Sequence, residues 1–256
     1  MQQTDSNDPI VTIAVPSFNQ GAFLDCALRS IFEQNLPLEV FVMDGGSTDN
    51  SVDVIKRWEH RLAGWRSHRD EGQAAAINEG IARGKAPFVS WLNSDDWLLP
   101  NGLPHLLAAL KSNPQTPAVY GKAWNYIERT RQQTPVWTEP FSERRLAVRC
   151  IISQPATLMR RSAWEAVNGL DGKLHMTMDY DLWWRLFRRI APLTYIDKFV
   201  AVNRIHEETK TSTFRQRHYR EAIETVRRHH GSVPLKWWLA QPYAVWYKTL
   251  LNKMRH

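Results

Sequence analysis

Two adjacent carboxylates, Asp95 and Asp96, follow the short apolar run 88–92 and Asn93-Ser94, and the large apolar Trp97 comes at once after them. In an open α/β sheet ligands bind outside the carboxyl ends of the strands, so a strand ending here puts the pair where a site would be. Neighbouring carboxylates repel one another and call for positive charge between them and a partner. A divalent cation holding a diphosphate meets that need, because hard cations take oxygen ligands and use few protein carboxylates beside phosphates. The plainer alternative is an Asx-rich turn capping the next helix. Asp44 ends another apolar run, 39–43, and Gly45-Gly46 after it let backbone come close to a flat ligand. An acid there is placed to accept from a ribose hydroxyl or a base imide N–H, although a plain strand-to-helix turn also uses Asp-Gly-Gly. Farther on, Asp179 and Asp181 stand at or just inside the start of a helical stretch, 178–186. Stabilisation by the free N–H groups of that helix start accounts for one of them and hardly for both. His206, in a polar loop with Thr and Lys, is either a structural histidine or a ligand.

The elements that must position these residues follow from periodicity. Residues 10–15 read as a first strand, closed by Pro16-Ser17-Phe18-Asn19-Gln20-Gly21 with the polar side chains of Ser17 and Asn19 in the turn. A helix follows with Phe23, Leu24, Ala27, Leu28 and Ile31 on one face. After the strand 39–43, Ser47 or Thr48 can cap a helix whose inner face is Val52, Ile55 and Trp58. Trp65 begins a weaker strand that leads to Arg69-Asp70-Glu71-Gly72-Gln73, and 74–84 is a small-residue helix. Strand and helix in alternation with short loops predict a doubly wound α/β half with parallel strands. No G-x-G-x-x-G follows the first strand and no P-loop is present, which disfavours a dinucleotide fold. Beyond Trp97 the pattern predicts a helix over 103–110, a strand pair over 118–136 and a helix opened by Arg160-Arg161. Short strands at 193–196 and 199–204 then precede a charged helix over 213–230, broken by Gly231-Ser232-Val233-Pro234.

Composition is that of an ordinary globular chain, 43% hydrophobic and 23% charged over 256 residues. Cys26 and Cys150 are too few for a metal knuckle or a disulfide framework, and the place of Cys26 among apolar helix positions predicts a buried free thiol in a reducing compartment. The polar residues 1–9 read as a flexible N-terminus without a signal-peptide layout. No apolar run is long enough to span a bilayer. A cytoplasmic location is expected. Charge is uneven: residues 1–202 carry 22 Lys/Arg and 22 Asp/Glu, whereas residues 203–256 carry 11 and 4. A neutral body with a basic tail points to an anionic surface rather than to nucleic acid. In 235–256, Trp237, Trp238, Leu239, Trp246, Tyr247, Leu250 and Leu251 are interleaved with Lys236, Lys248, Lys253 and Arg255. Such a segment lies in a membrane interface, here the inner face of the cell membrane, or packs on its own domain.

With these stretches in place the chain resembles the family 2 glycosyltransferases of the GT-A fold. The matching stretches are residues 15–20, 42–51, 67–80, 93–96, 178–183 and 204–212, in that order and at family spacing. The resemblance implies a GT-A type α/β fold over 10–212: a Rossmann-like nucleotide-binding half with a mostly parallel central sheet (10–100) and an acceptor half (101–212). Residues 213–256 form a basic, helical extension. It implies that Asp44 binds the nucleobase or ribose, with Pro16, Ser17, Asn19 and Gly45 lining that pocket. Arg69, Asp70, Gly72, Gln73 and Asn78 would lie near the ribose and donor, with Asn93 and Asp95 contacting the sugar-nucleotide. Asp96 would be the main protein ligand of Mn2+ or Mg2+, His206 would meet the metal or diphosphate, and Asp179 would be the general base. The expected reaction is inverting, metal-dependent transfer of one sugar from a UDP-, GDP- or dTDP-sugar to a glycan or glycolipid acceptor. Two departures stand out: Met178 occupies the place of the family's acid before the catalytic Asp, and the Gln-x-x-Arg-Trp signature of processive synthases is missing. Trp91, Trp97 or Trp124 could serve as an acceptor platform, because aromatic faces suit sugar rings, with core packing as the alternative for each. A sugar-nucleotide pyrophosphorylase is the rival enzyme, but residues 16–21 are not the Gly-rich basic loop it needs. A catalytically silent membrane-docking or carbohydrate-binding protein is the rival from another class.

Overall fold

A computed structural model of the chain describes residues 8–207, 209 and 213–241. Most of the expected flexible N-terminus, 1–7, and the segment 242–256 with its remaining aromatic and basic residues lie outside the described residues. Strand β1 (Val11–Ser17) is buried along its whole length between β2 (Leu38–Asp44) and β4 (Phe88–Trp91), and β3 (Gly64–Ser67) flanks β2. All of these pairings are parallel. Their carboxyl ends therefore share one edge of the sheet, where the loops after β1, β2, β3 and β4 gather. Pro16, which has no N–H to give, lies beyond the last β1–β4 pair, Ala14 with Trp91, so it removes nothing from that ladder.

The helices α1 (Gly21–Phe32), α2 (Ser51–Trp58) and α3 (Gln73–Arg83) are the crossovers. The small residues of α3 have a clear cause. A Cβ on Gly80 would come within 2.8 Å of Ala14 Cβ, so the helix rests almost on the strand. Cys26 departs from expectation, being exposed. The buried stripe of α1 is Leu24, Ala27, Leu28 and Ile31, and Cys26, two residues after Leu24, is turned about 200° away from it. Asp49, not Ser47 or Thr48, serves the start of α2: its Oδ1 accepts from Ser51 N at 3.0 Å, and its Oδ2 accepts from Gly21 N at 2.9 Å.

Past β5 (Trp97–Leu98) and α4 (Gly102–Ser112), the sheet is extended by β6 (Ala118–Ile127), with β7 (Gln132–Pro135) as its hairpin partner. After α5 (Glu143–Val148), β8 (Thr157–Arg160) pairs antiparallel with both β4 and β6, so one sheet runs through both expected halves of the domain. The two short strands expected near 193–204 are one strand, β9 (Thr194–Ile205). The exposed Asp197-Lys198 pair imitates a turn in the sequence, but the β6–β9 pairing absorbs it as an irregularity around Lys122.

Helix α6 (Arg161–Ala166) leads to α7 (Met178–Arg189), which buries Leu182, Trp183, Trp184 and Leu186. Trp183 stacks on Trp91 of β4, with centroids 6.1 Å apart, and locks α7 to the strand that precedes Asp95. The extension helix α8 (Arg215–His230) docks on α7. Asp181 is buried between them, accepting from Arg185 Nε at 2.6 Å and lying 2.7 Å from His229 Nε2. Burial pushes its carboxyl up, but the His229 and Arg185 contacts outweigh burial and hold it below the usual range. Asp181→Asn is therefore expected to cost about 2 kcal/mol in urea unfolding, because the largely buried Arg185 guanidinium loses its counter-charge and His229 its carboxylate partner. The last described helix, α9 (Leu235–Gln241), is pinned through Trp237, whose indole N–H donates to Ala147 O at 2.8 Å. Leu235, Trp238 and Leu239 of the same helix are exposed.

Candidate active site

At the end of β2, Asp44 is fully buried. Its Oδ2 accepts from Ser47 N at 2.9 Å, Gly46 N at 3.1 Å and Ser67 Oγ at 2.7 Å, while Oδ1 accepts from Ser47 Oγ at 2.5 Å. These bonds fix the path of the β2–α2 loop and tie it to β3. The expected acceptor for a ribose or base is therefore also a loop anchor, with three donors on Oδ2 and one on Oδ1. What opens at this edge is Phe18, 59% exposed. A Cβ on Gly45 would lie 3.3 Å from the Phe18 ring and 3.5 Å from Asp70 Oδ2, so ring, glycine and carboxylate adjoin. Asn19, at φ 52, donates its N–H to Ser47 Oγ at 2.7 Å and accepts from Thr48 N at 2.9 Å, bridging the first two loops. Ser17 keeps a buried hydroxyl without a partner among the described residues. Pro16 is buried within β1 and does not line the opening.

Asp70 is held by Arg66, a buried arginine to which sequence patterning gave no role. Arg66 Nη1 donates to Asp70 Oδ2 at 3.0 Å and to His68 O at 3.1 Å, and its other nitrogens reach Glu79. Asp70 Oδ1 in turn accepts from Gly72 N at 2.9 Å. Gly72 has φ 112, a conformation that suits glycine, and it turns the chain into α3. Arg69 is exposed, with its backbone packed against Gly46. Asn78 does not reach this region. Its amide exchanges hydrogen bonds of 2.9 Å with both the N–H and the carbonyl of Leu170, bracing the turn that precedes α7.

The third cluster lies after β4. Asn93 Oδ1 accepts from Gln73 Nε2 at 2.8 Å, and Asn93 Nδ2 donates to Asp96 Oδ2 at 3.1 Å. Asp96 is 5% exposed, and its second oxygen accepts from Arg204 N at 2.9 Å. Burial, then the charge of Asp95 beside it, pushes the Asp96 carboxyl well above its ordinary range despite those donors. Its carboxylate thus fastens β9 to the β4 loop, with one donor on each oxygen. Asp95 is the more open acid. Its side chain is 22% exposed, and its Oδ2 lies 3.1 Å from His206 Nε2. Arg204 also donates its Nε–H to Asp95 O at 2.9 Å, with its guanidinium over the rings of Phe23 and Trp97.

The residues present fit a cation at Asp95 and His206, with the more buried Asp96 beside them. Asp95 Oδ2 and His206 Nε2 are hydrogen-bonded to each other at 3.1 Å, a spacing that also suits two ligands on adjacent corners of an octahedron with bonds of about 2.1 Å, roughly 3 Å apart. Among the described residues no three His, Cys, Asp or Glu side chains form a metal-holding group. A cation here would complete its shell with phosphate oxygens and water.

Asp179 occupies the first turn of α7, where its Oδ1 accepts from Tyr180 N at 2.8 Å. Among the described residues no cation pairs with it, and burial raises its carboxyl to about 6. Tyr180, the next residue, donates its hydroxyl to Leu146 O of α5, so the start of α7 adjoins the end of that helix. From there the chain runs through Cys150 to Gln154, which donates to Trp91 O at 2.8 Å and meets Asn93 Nδ2 at 3.4 Å. One short segment therefore connects the surroundings of Asp179 to those of Asp95.

The profile of glycosyl transferase family 2 matches residues 12–167. The chain belongs to glycosyl transferase family 2. An uncharacterized glycosyltransferase of Rickettsia bellii is 28% identical over 211 residues, 78% of this chain and 30% of that protein, so the chain spans under a third of that relative's length. Among solved structures, the mannosyltransferase PcManGT of Pyrobaculum calidifontis in complex with GDP-Man and Mn2+ superposes with a TM-score of 0.70 at 19% identity, covering 95% of this chain and 74% of that one. S. aureus TarS 1-349 in complex with UDP-GlcNAc gives a TM-score of 0.68 at 16% identity, covering 86% and 66%. These likenesses make the fold the GT-A type expected from the resemblance. No helix among the described residues is long and apolar enough to cross a membrane.

Within this family 2 domain, three tryptophans named as acceptor platforms have packing duties instead. Trp91 is core, Trp124 stacks on Phe199 with centroids 4.1 Å apart, and Trp97 lies edge-on to Tyr126 beneath Arg204. The exposed tryptophan of the acceptor half is Trp137, with the Arg149 guanidinium 5.0 Å from its ring. Arg66, Arg204, Gln154 and Phe18 are the residues that patterning missed. Phe18 and Arg204 lay inside matched stretches, but only the folded chain gives each an address.

Proposed function

We propose that this chain transfers one sugar from a nucleotide-sugar to an acceptor hydroxyl with inversion, using Mn2+ or Mg2+ held by Asp95 and His206. The observation that carries the reading is the Asp95–His206 pair at 3.1 Å, at the carboxyl edge of β4 beside the first loops. The nucleotide-sugars named for the structural relatives, GDP-Man and UDP-GlcNAc, support a donor of this class, and the Mn2+ named for one of them supports the metal. When bound, the cation supplies Lewis-acid charge for the departing nucleoside diphosphate. Phe18, next to Gly45 and Asp70, offers an open ring face for the base. Asp70, Gly72 and Arg69 then border the ribose side, and Gln73 and Asn93 the sugar side. Asp179 takes the proton of the acceptor hydroxyl as that oxygen bonds to the anomeric carbon from the face opposite the diphosphate. The bond to the diphosphate breaks with its electron pair. A carboxylate raised to about 6 by burial is ionised at neutral pH and still basic enough for this task.

The acceptor is a glycan or glycolipid hydroxyl presented near Trp137 and Arg149, an aromatic face with a cation at the start of the segment that passes Asp179 at Cys150. The catalytic domain would span 10–212, and the extension 213–256 would steady α7. Exposed Leu235, Trp238 and Leu239, with Lys236, suit peripheral contact with an anionic membrane surface. Phe18→Ala is expected to weaken nucleoside diphosphate binding about five- to tenfold by calorimetry, the worth of one aromatic stack. The donor reading is tested by thermal shift against UDP, GDP and dTDP with and without Mn2+. Stabilisation by one of them that requires the metal is the expected result, and metal-independent or absent shifts across the panel would overturn it.

A further inference from the structure

The cleft between α7 and α8 has no part in the chemistry above. It has a volume of about 560 Å³ and is bordered by Asp181, Arg185 and Arg189 of α7, by Arg228 and His229 of α8, and by Asp171 of the preceding loop. Asp181 is committed to Arg185 and His229. Arg228 Nη1 reaches Asp181 Oδ1 at 3.4 Å and lies 3.8 Å from Asp171 Oδ2, and Arg185, Arg188, Arg189 and Arg228 outnumber these two carboxylates, so cation exceeds anion in the cleft. A second observation concerns Arg185 itself. Its Nη1 donates to Val167 O and Gly169 O at 2.6 and 2.7 Å, yet its Nη2 is buried with no partner among the described residues. A buried guanidinium donor without an acceptor is costly, and an anionic oxygen removes that cost.

We propose that this cleft binds a phosphate-bearing anion, with Arg185, Arg189 and Arg228 as its donors. Guanidinium forks match phosphate oxygens in spacing and planarity, which is why arginine outperforms lysine at such sites. The volume exceeds what inorganic phosphate needs, so the group attached to the phosphate has room. Asp181 is two residues from Asp179, about 200° round the helix, so an occupied cleft leaves the Asp179 face open. The bound anion would link the extension to α7, because its donors come from both helices. A phosphorylated small molecule and a lipid headgroup share this chemistry.

The test is titration of the full chain with inorganic phosphate by calorimetry, in EDTA and at ionic strength matched with chloride. Arg189→Gln/Arg228→Gln changes exposed side chains away from the donor site, and circular dichroism checks its fold. Saturable phosphate binding that weakens about tenfold in this variant, and is unchanged in Asp95→Asn, is the expected result. Heats no greater than those of chloride, or equal affinity in the folded double variant, would overturn the proposal. Sedimentation with phosphatidic acid vesicles separates the sources. Pelleting lost in the double variant assigns a lipid headgroup, and pelleting retained while phosphate binding falls assigns a soluble phosphate ester.

Discussion

Replacing Asp179 by asparagine is expected to lower kcat by roughly 10²–10⁴-fold, the usual worth of a general base, while leaving donor affinity unchanged and making the fold more stable at neutral pH. The two effects have one origin. Burial without a cationic partner lifts the carboxyl from 3.8 to about 6. A group whose pKa is higher folded than unfolded favours the native state below its unfolded value, and that contribution is lost as pH rises through the folded one. At pH 7 the wild-type chain therefore carries a buried charge that costs about 3 kcal/mol, taking ~1.4 kcal/mol for each pKa unit. Asparagine carries none. Melts of the two proteins should differ most near pH 7.5 and converge towards pH 4, and wild-type kcat should fall as pH drops below about 6. A variant that loses donor binding instead would move Asp179 out of the acceptor side.

Asp95→Asn is expected to lower kcat/KM by about 10³-fold, ~4 kcal/mol, by removing the one open carboxylate at the proposed cation. The same change next door should behave differently. Asp96 accepts from Arg204 N and Asn93 Nδ2 on its two oxygens. An amide at position 96 turns an N–H toward one of those donors, so Asp96→Asn should mainly cost stability, about 1–3 kcal/mol. Metal-dependent nucleotide binding measured on both variants separates the roles. Loss in Asp96→Asn with retention in Asp95→Asn would restore the assignment that the sequence pattern suggested.

Local pattern was enough for the alternation of strands and helices, the parallel edge that collects the loops, and the stretches that identify the family. It was not enough wherever a residue's partner lies far away along the chain. Nothing near Asp44 says that Ser67, 23 residues on, consumes part of its carboxylate. Asn78 looks like a donor contact until Leu170, 92 residues away, takes both ends of its amide. Of the neighbouring acids, Asp96 faces Arg204 N and Asp95 faces His206, and only the course of β9 decides which faces which. The paired acids of α7 divide in the same way. Arg185 and the extension's His229 meet Asp181, whereas Asp179 meets no cation among the described residues and burial raises its carboxyl. The exposure of Cys26 and the continuity of β9 were misread for smaller reasons, a helical phase and a bulge.

The central claim is that a cation at Asp95 and His206 and the carboxylate of Asp179 serve one bound donor from opposite ends of the reaction. Mn2+ electron paramagnetic resonance, in the presence of the nucleoside diphosphate that gives the largest thermal shift, tests it most directly. Wild type and Asp179→Asn should both hold Mn2+ only when the nucleotide is present, with turnover lost in the latter, and Asp95→Asn should hold none. Nucleotide-dependent Mn2+ binding that persists in Asp95→Asn, or that disappears in Asp179→Asn, would contradict it.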